Sequence, residues 1–142
     1  MSDMKNRADL LDRMLEAEEI RKYAYTLSES EKQELNIENG DFKLMRTVFN
    51  YSGSLKVFLG ERMGAAGGND ITEEGLARLI CDSRAAAESS PEDPCHDIAP
   101  DQGKNVFHQG IQEPDLDGFA QRIRELLTTI KKDYPLDRKS VV

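Results

Sequence analysis

Asn39-Gly40 constrains this chain more than any other dipeptide in it. A two-residue hairpin turn of type I′ needs positive φ at both central positions, and Asn-Gly meets that demand at the lowest steric cost. A strand must therefore run into Asn39 and another must leave Gly40. Downstream, Leu55, Val57 and Leu59 alternate with Ser54, Lys56 and Phe58, and Met63 and Ala65 alternate with Arg62 and Gly64. Period-two alternation sets one face of a strand against a core. Gly60-Glu61 reads as a tight turn and Asn50-Tyr51-Ser52-Gly53 as a looser polar one. The stretch Asn39–Asp70 thus predicts an antiparallel meander that hands over to a helix near Ile71.

Upstream of the turn, Tyr23, Tyr25, Leu27, Leu35 and Ile37 are all odd-numbered, as one face of a strand requires. Glu29, Glu31 and Gln33 occupy the same parity and do not belong in a core. Either one long strand projects beyond its sheet or a bend near Ser30 divides it. Helix is the rival reading for SESEKQEL, and the hairpin signal favours strand.

Helices bracket this sheet. Leu10, Leu11, Met14 and Leu15 form a stripe over about Asp3–Glu19, with Ser2 or Asp3 as cap. At Thr72 several start signals agree: an N-cap hydroxyl, Glu73 and Glu74 at the positive end of the helix dipole, and an Ile71/Leu76 staple. That helix carries Leu76, Leu79, Ile80, Ser83 and Ala87 on one face and stops before Ser89-Ser90-Pro91. A last helix follows Asp115, with Leu116, Phe119, Ala120, Ile123, Leu126, Leu127, Ile130 and Tyr134 at spacings of three and four. Lys131 and Lys132 suit its end and Pro135 stops it. The proline-rich region 89–114 reads as a long loop, with Asn105-Val106-Phe107 touching the sheet. The expected fold is α+β: an antiparallel β-meander of about four strands packed against three helices, in a single domain over 1–142.

Composition narrows the function classes. A net charge of -8 argues against nucleic acid as a partner, since duplex binding needs clustered Lys and Arg. No window approaches the roughly 18 apolar residues of a membrane span, so no membrane role is expected. Two cysteines, Cys81 and Cys95, lack CxxC or metal spacing, and a reducing, cytoplasmic setting suits them better than a disulfide.

No residue pattern declares an enzyme. The two histidines, His96 and His108, both lie in the long loop. Cys95-His96-Asp97 has ligand chemistry, but adjacent loop side chains rarely converge on one ion, and all three read as solvated. Cys81 reads as a buried small hydrophobe without a cationic neighbour to activate it. Gly64-Ala65-Ala66-Gly67-Gly68 before a helix start has the look of a phosphate cradle, yet it lacks GxGxxG spacing and Glu73-Glu74 would repel the anion. No catalytic, cofactor-binding or metal residue is assigned.

A resemblance supplies what the chemistry does not. Asn39-Gly40, Gly53 with Leu55-Lys56-Val57, Gly60-Glu61-Arg62-Met63-Gly64 and Asn69-Asp70 stand where the N-terminal domain of the TldD/PmbA family has its own pattern. That pattern is a strand ending in Asn-Gly, a Gly-rich approach to an apolar strand, a Gly-Arg-x-Gly turn and Asn-Asp before an acidic helix start. The helix Thr72–Ala87 and its exit Ser90-Pro91-Glu92-Asp93-Pro94 are similar to the family as well, and the likeness covers roughly Tyr23 to Tyr134. Ser54 departs from it, replacing a second glycine near the meander turn. These are zinc peptidases once called modulators of DNA gyrase. Their zinc motif, a His-Glu-x-x-x-His helix, lies in a C-terminal domain this sequence does not contain. The resemblance implies a non-catalytic N-terminal domain or fragment of a longer protein, assisting peptide processing by shaping the substrate chamber or the contact with a homologous subunit in a homo- or heterodimer. By itself the chain is expected to be inactive and to hold no zinc. The rival reading is a stand-alone acidic protein-interaction module.

Overall fold

In a computed structural model the described residues are 2–100, 103, 105–107, 109–110 and 113–134, with side chains from Met4 onward. The elements run α1 (Ser2–Ala17), β1 (Tyr23–Glu38), β2 (Asp41–Leu59), β3 (Arg62–Gly68), α2 (Glu73–Ser89) and α3 (Leu116–Asp133). The sheet has the order β1-β2-β3. The fold is α+β with three helices and a three-stranded antiparallel sheet, one strand fewer than the meander reading expects.

The missing strand break is Asn50–Gly53. Its composition is that of a turn, yet β2 passes straight through it. Gly53 instead lies buried within the strand: a Cβ there would stand 3.2 Å from Leu27 Cδ2, a tight contact, and 3.5 Å from Ile71 Cγ2, an ordinary one. β1 is likewise continuous, without a bend at Ser30. Asn39 and Gly40 take φ of 54° and 76°, the left-handed pair that a two-residue turn requires.

The chain divides into two compact units. The first comprises Met1–Glu31 and Phe49–Gln102. Its core joins Leu11 and Leu15 of α1, Ile20, Leu55 and Val57 of β2, and Leu76, Leu79, Ile80 and Ala87 of α2, with Tyr23, Tyr25 and Leu27 packed against it. β3 pairs antiparallel with β2, setting Val57 opposite Gly64 and Leu55 opposite Ala66. The inward residues of β3 are therefore Gly64 and Ala66, while Ala65 is exposed, the reverse of the face Met63 and Ala65 led one to expect. The helix explains the inversion: α2 comes so close that only the smallest residues fit beneath it.

α2 begins as its sequence dictates. Thr72 Oγ1 accepts from Gly75 N at 3.2 Å, Glu73 and Glu74 fill the first turn, and Leu76, Leu79, Ile80, Ser83 and Ala87 are buried. Cys81 lies off that stripe and is exposed and unbridged, which corrects its reading as a buried hydrophobe. Helical geometry is the reason: with 76, 80, 83 and 87 facing inward, position 81 turns outward.

The second unit comprises Lys32–Val48 and Gly103–Val142. Ile123 and Leu127 of α3 pack with Ile37 of β1, and Phe42 of β2 closes the cluster. Asp115 caps α3 by accepting from Gly118 N at 2.8 Å, and Lys131 reaches Asp41 at 3.3 Å. The apolar stripe of α3 is wider than the surface that covers it, leaving Phe119 and Leu126 at 43% and 45% exposure. Val106 and Phe107 are exposed as well, not seated on the sheet. Pro135, the expected stop of α3, lies outside the described residues.

Candidate functional site

The turn-and-strand segment Gly60–Gly64 is the best organised site in the first unit. Gly60 takes φ of 65°, which closes the β2–β3 turn. Arg62 reaches across to the end of α2: its Nη1 donates to Glu88 O at 2.9 Å and Ser90 O at 3.2 Å, and its Nε and Nη2 approach Glu92 Oε1 at 3.4 and 3.3 Å. A planar guanidinium spreads its donors over separate nitrogens in a fixed fork, which suits two helix-end carbonyls on one side and a carboxylate on the other. Gly64 then lets β3 lie against the α2 backbone. Turn, clamp and close approach account for the Gly60-Glu61-Arg62-Met63-Gly64 pattern without assigning it any chemistry.

The same turn anchors the segment C-terminal to α2. Asp93 N donates to Glu61 O at 3.0 Å, and His96 Nδ1 meets the same carbonyl at 3.1 Å. His96 N donates to Asp93 O at 3.0 Å, and Cys95 N to Asp93 Oδ1 at 2.8 Å. Asp97 pairs with Lys22, whose hydrogen bond holds the Asp97 carboxyl below the usual range. Residues 91–97 thus form a strap over the β2–β3 turn. The triplet Cys95-His96-Asp97 diverges: a free exposed thiol, a ring directed at Glu61 O, and a carboxylate on Lys22. Its donors do not converge on a point, and among the described residues no three His, Cys, Asp or Glu side chains do. His108 lies outside the described residues.

The glycine-rich end of β3 leads into an open cavity of about 250 Å³ bordered by Gly67, Gly68, Asn69, Asp70, Arg78 and Asp82. The place where a phosphate would sit at a helix start belongs to the chain's own carboxylate. Asp70 Oδ1 accepts from Thr72 Oγ1 at 2.6 Å and Thr72 N at 3.0 Å, and Oδ2 pairs with Arg78. The hydroxyl first and the amide second hold its carboxyl below the usual value. With the Arg78 guanidinium already paired to Asp70 and Asp82 adding negative charge, the cavity does not suit an anion.

Two further ionisable clusters are structural. Tyr23 OH donates to Asp12 Oδ1 at 3.0 Å, and Tyr25 stacks beside Tyr23 with ring centroids 6.2 Å apart. Burial, then the Asp12 carboxylate, pushes the Tyr25 phenol up to about 12. In the second unit Glu34 accepts from Arg46 and Lys32, which lower its carboxyl to about 2. Sequence reading missed the reach of Arg62 and the strap, because their acceptors are backbone carbonyls that no residue type announces.

The profile of PmbA/TldA metallopeptidase domain 1 matches residues 25–87. TldE from Thermococcus kodakarensis shares the fold with a TM-score of 0.55 at 14% identity, over 80% of this chain and 26% of that one. A Thermotoga maritima protein described as a modulator of a DNA gyrase does so with a TM-score of 0.50 at 12% identity, over 81% and 25%. The chain thus spans about a quarter of the length of either protein. No match was found among curated proteins. The Gly60–Gly64 clamp and the Asp70 start of α2 both fall inside the matched segment, so it is residues 25–87 that are similar to domain 1 of the PmbA/TldA metallopeptidases.

Proposed function

We propose that the chain acts as the non-catalytic first domain of a TldD/PmbA-type zinc metallopeptidase system, aiding peptide processing by shaping the substrate chamber or the contact with a homologous subunit. The match of residues 25–87 to domain 1 of that family carries the reading. The roles of Gly60, Arg62, Gly64 and Asp70 support it: each of these pattern residues builds scaffold, which leaves the chemistry to another domain. Zinc, which the family implies, does not fit the described residues here, since His96 and its neighbours point to separate partners. No step through the metal is assigned to this chain. Free thiols at Cys81 and Cys95 favour a reducing, cytoplasmic setting, and among the described residues no helix is long and apolar enough to cross a membrane.

The test is reconstitution with a zinc-bearing homologous subunit from the same source. Light scattering after size exclusion is expected to show a complex, and the chain alone is expected to leave an unstructured peptide uncleaved and to bind no stoichiometric zinc. Peptide cleavage by the purified chain, tight zinc, or failure to associate would each overturn the proposal. The exposed Leu44, Met45, Phe119 and Leu126 favour a second reading, a stand-alone interaction module. Stable association with a protein unrelated to peptidases, and none with the homologous subunit, would select it.

A further inference from the structure

One carbonyl oxygen holds the strap. Glu61 O receives Asp93 N at 3.0 Å and stands 3.1 Å from His96 Nδ1. A carbonyl can only accept, so the docked ring carries a proton on Nδ1. When the ring is neutral, Nε2 has a bare lone pair, and it faces Asp93 Oδ2 at 3.8 Å, acceptor against acceptor. Asp93 Oδ1 is committed to Cys95 N, which keeps the other carboxylate oxygen turned toward the ring. A second proton on the ring converts this unfavourable contact into a cation–carboxylate one.

The surrounding charges do not compete for that role. Arg62 of β3 is engaged with Glu92 and the carbonyls of Glu88 and Ser90, and Lys22, just before β1, with Asp97. Glu61 contributes its backbone oxygen from the exposed turn. The docked geometry therefore serves the imidazolium at both nitrogens and the neutral ring at one.

We propose that residues 91–97 form a proton-responsive strap, which grips the β2–β3 turn more tightly when His96 is doubly protonated. Docking and proton uptake favour each other, so the strap loosens when the ring loses its second proton. Both partners are partly solvated, with side chains 26% and 48% exposed. The opening equilibrium should accordingly change by about two- to fivefold.

The experiment is amide hydrogen exchange on the full chain near pH 5.5 and 7.5, corrected for intrinsic rates. It follows the N–H groups of Asp93 and His96, which donate to Glu61 O and Asp93 O. Protection at both is expected to be about two- to fivefold higher at the acidic pH. His96→Gln, which cannot take the charge, and Asp93→Asn, which keeps an acceptor for Cys95 N, should each flatten that dependence. Amides within α2 report whether the variants fold. Equal protection of the unaltered chain at both pH values overturns the proposal, as does an undiminished dependence in either folded variant.

Discussion

Gly64 and Ala87 meet backbone to backbone: a Cβ built on Gly64 would lie 2.1 Å from Ala87 N and equally close to Ser83 O. Separations this short do not occur, so any side chain at 64 must drive α2 off the sheet. The α2 side of the contact is built to match, with Ser83 fully buried and returning its hydroxyl to Ile80 O at 3.0 Å. Gly64→Ala is therefore expected to cost about 3 kcal/mol, the upper end for overpacking, because the obstruction is backbone and cannot rotate away. Gly67→Ala is the control. Its added methyl would meet Gly53 O at 3.5 Å, an ordinary contact, and stability should change by no more than about 0.5 kcal/mol. Urea unfolding of both variants checks the contrast, and equal midpoints would refute the close-packing account.

Thr72 works in two directions at once, accepting from Gly75 N and donating to Asp70. Thr72→Ala should destabilise by about 1 kcal/mol, the usual loss for an N-cap, and Thr72→Ser should recover most of it. A pH signature accompanies the cap. Asp70 has its carboxyl lowered by the Thr72 hydroxyl and amide, so its contribution is present above the ordinary carboxylate range and lost as pH falls through the folded-state value. Acid unfolding of Thr72→Ala should consequently show a shallower pH dependence in that range than the parent chain.

The features legible in the sequence were local. Asn39-Gly40, Thr72 and Asp115 act within a few residues of themselves, and each does what its side chain or φ preference demands. The features that were not legible depended on a distant neighbour. Asn50-Tyr51-Ser52-Gly53 spells a turn, yet β2 runs through it with Gly53 buried beside Leu27 and Ile71, neighbours that local composition does not announce. Met63 and Ala65 look like the inward face of β3 until α2 is seen lying on Gly64. Cys81 is a different case. Its outward position follows from the stripe 76, 80, 83, 87, so helical periodicity and not residue type sets its exposure. At the candidate site Arg62 was visible as part of a family pattern, whereas its carbonyl acceptors at Glu88 and Ser90 could not be read from residue identities.

Tyr25 should report on the first unit at alkaline pH. Its phenol is raised from 10.0 to about 12 by burial and then by Asp12. A raised value contributes stability that is complete below the unfolded value of 10.0 and is lost as pH climbs toward about 12. Tyrosinate absorbance of the native chain is expected to contain a late-ionising component, absent in denaturant. Asp12→Asn should move that component to lower pH by removing the charge that opposes ionisation. An unchanged titration in Asp12→Asn would exclude the carboxylate as a contributor.

The second unit rests on few buried side chains: Ile37, Ile123 and Leu127, with Phe42 alongside. A two-stranded hairpin is marginal by itself, and so is a short isolated helix, so each depends on that cluster. Leu127 is 6% exposed, and Leu127→Ala should cost this unit about 2 to 4 kcal/mol. Leu126→Ala, one residue away at 45% exposure, removes the same side chain from a site that buries little and should cost less than about 1 kcal/mol. The core of the first unit contains neither residue. Hydrogen exchange should therefore show the amides of α3 losing protection in Leu127→Ala while those of α2 keep theirs. If α2 opens in step with α3, the two units unfold as one and the partition by buried clusters is wrong.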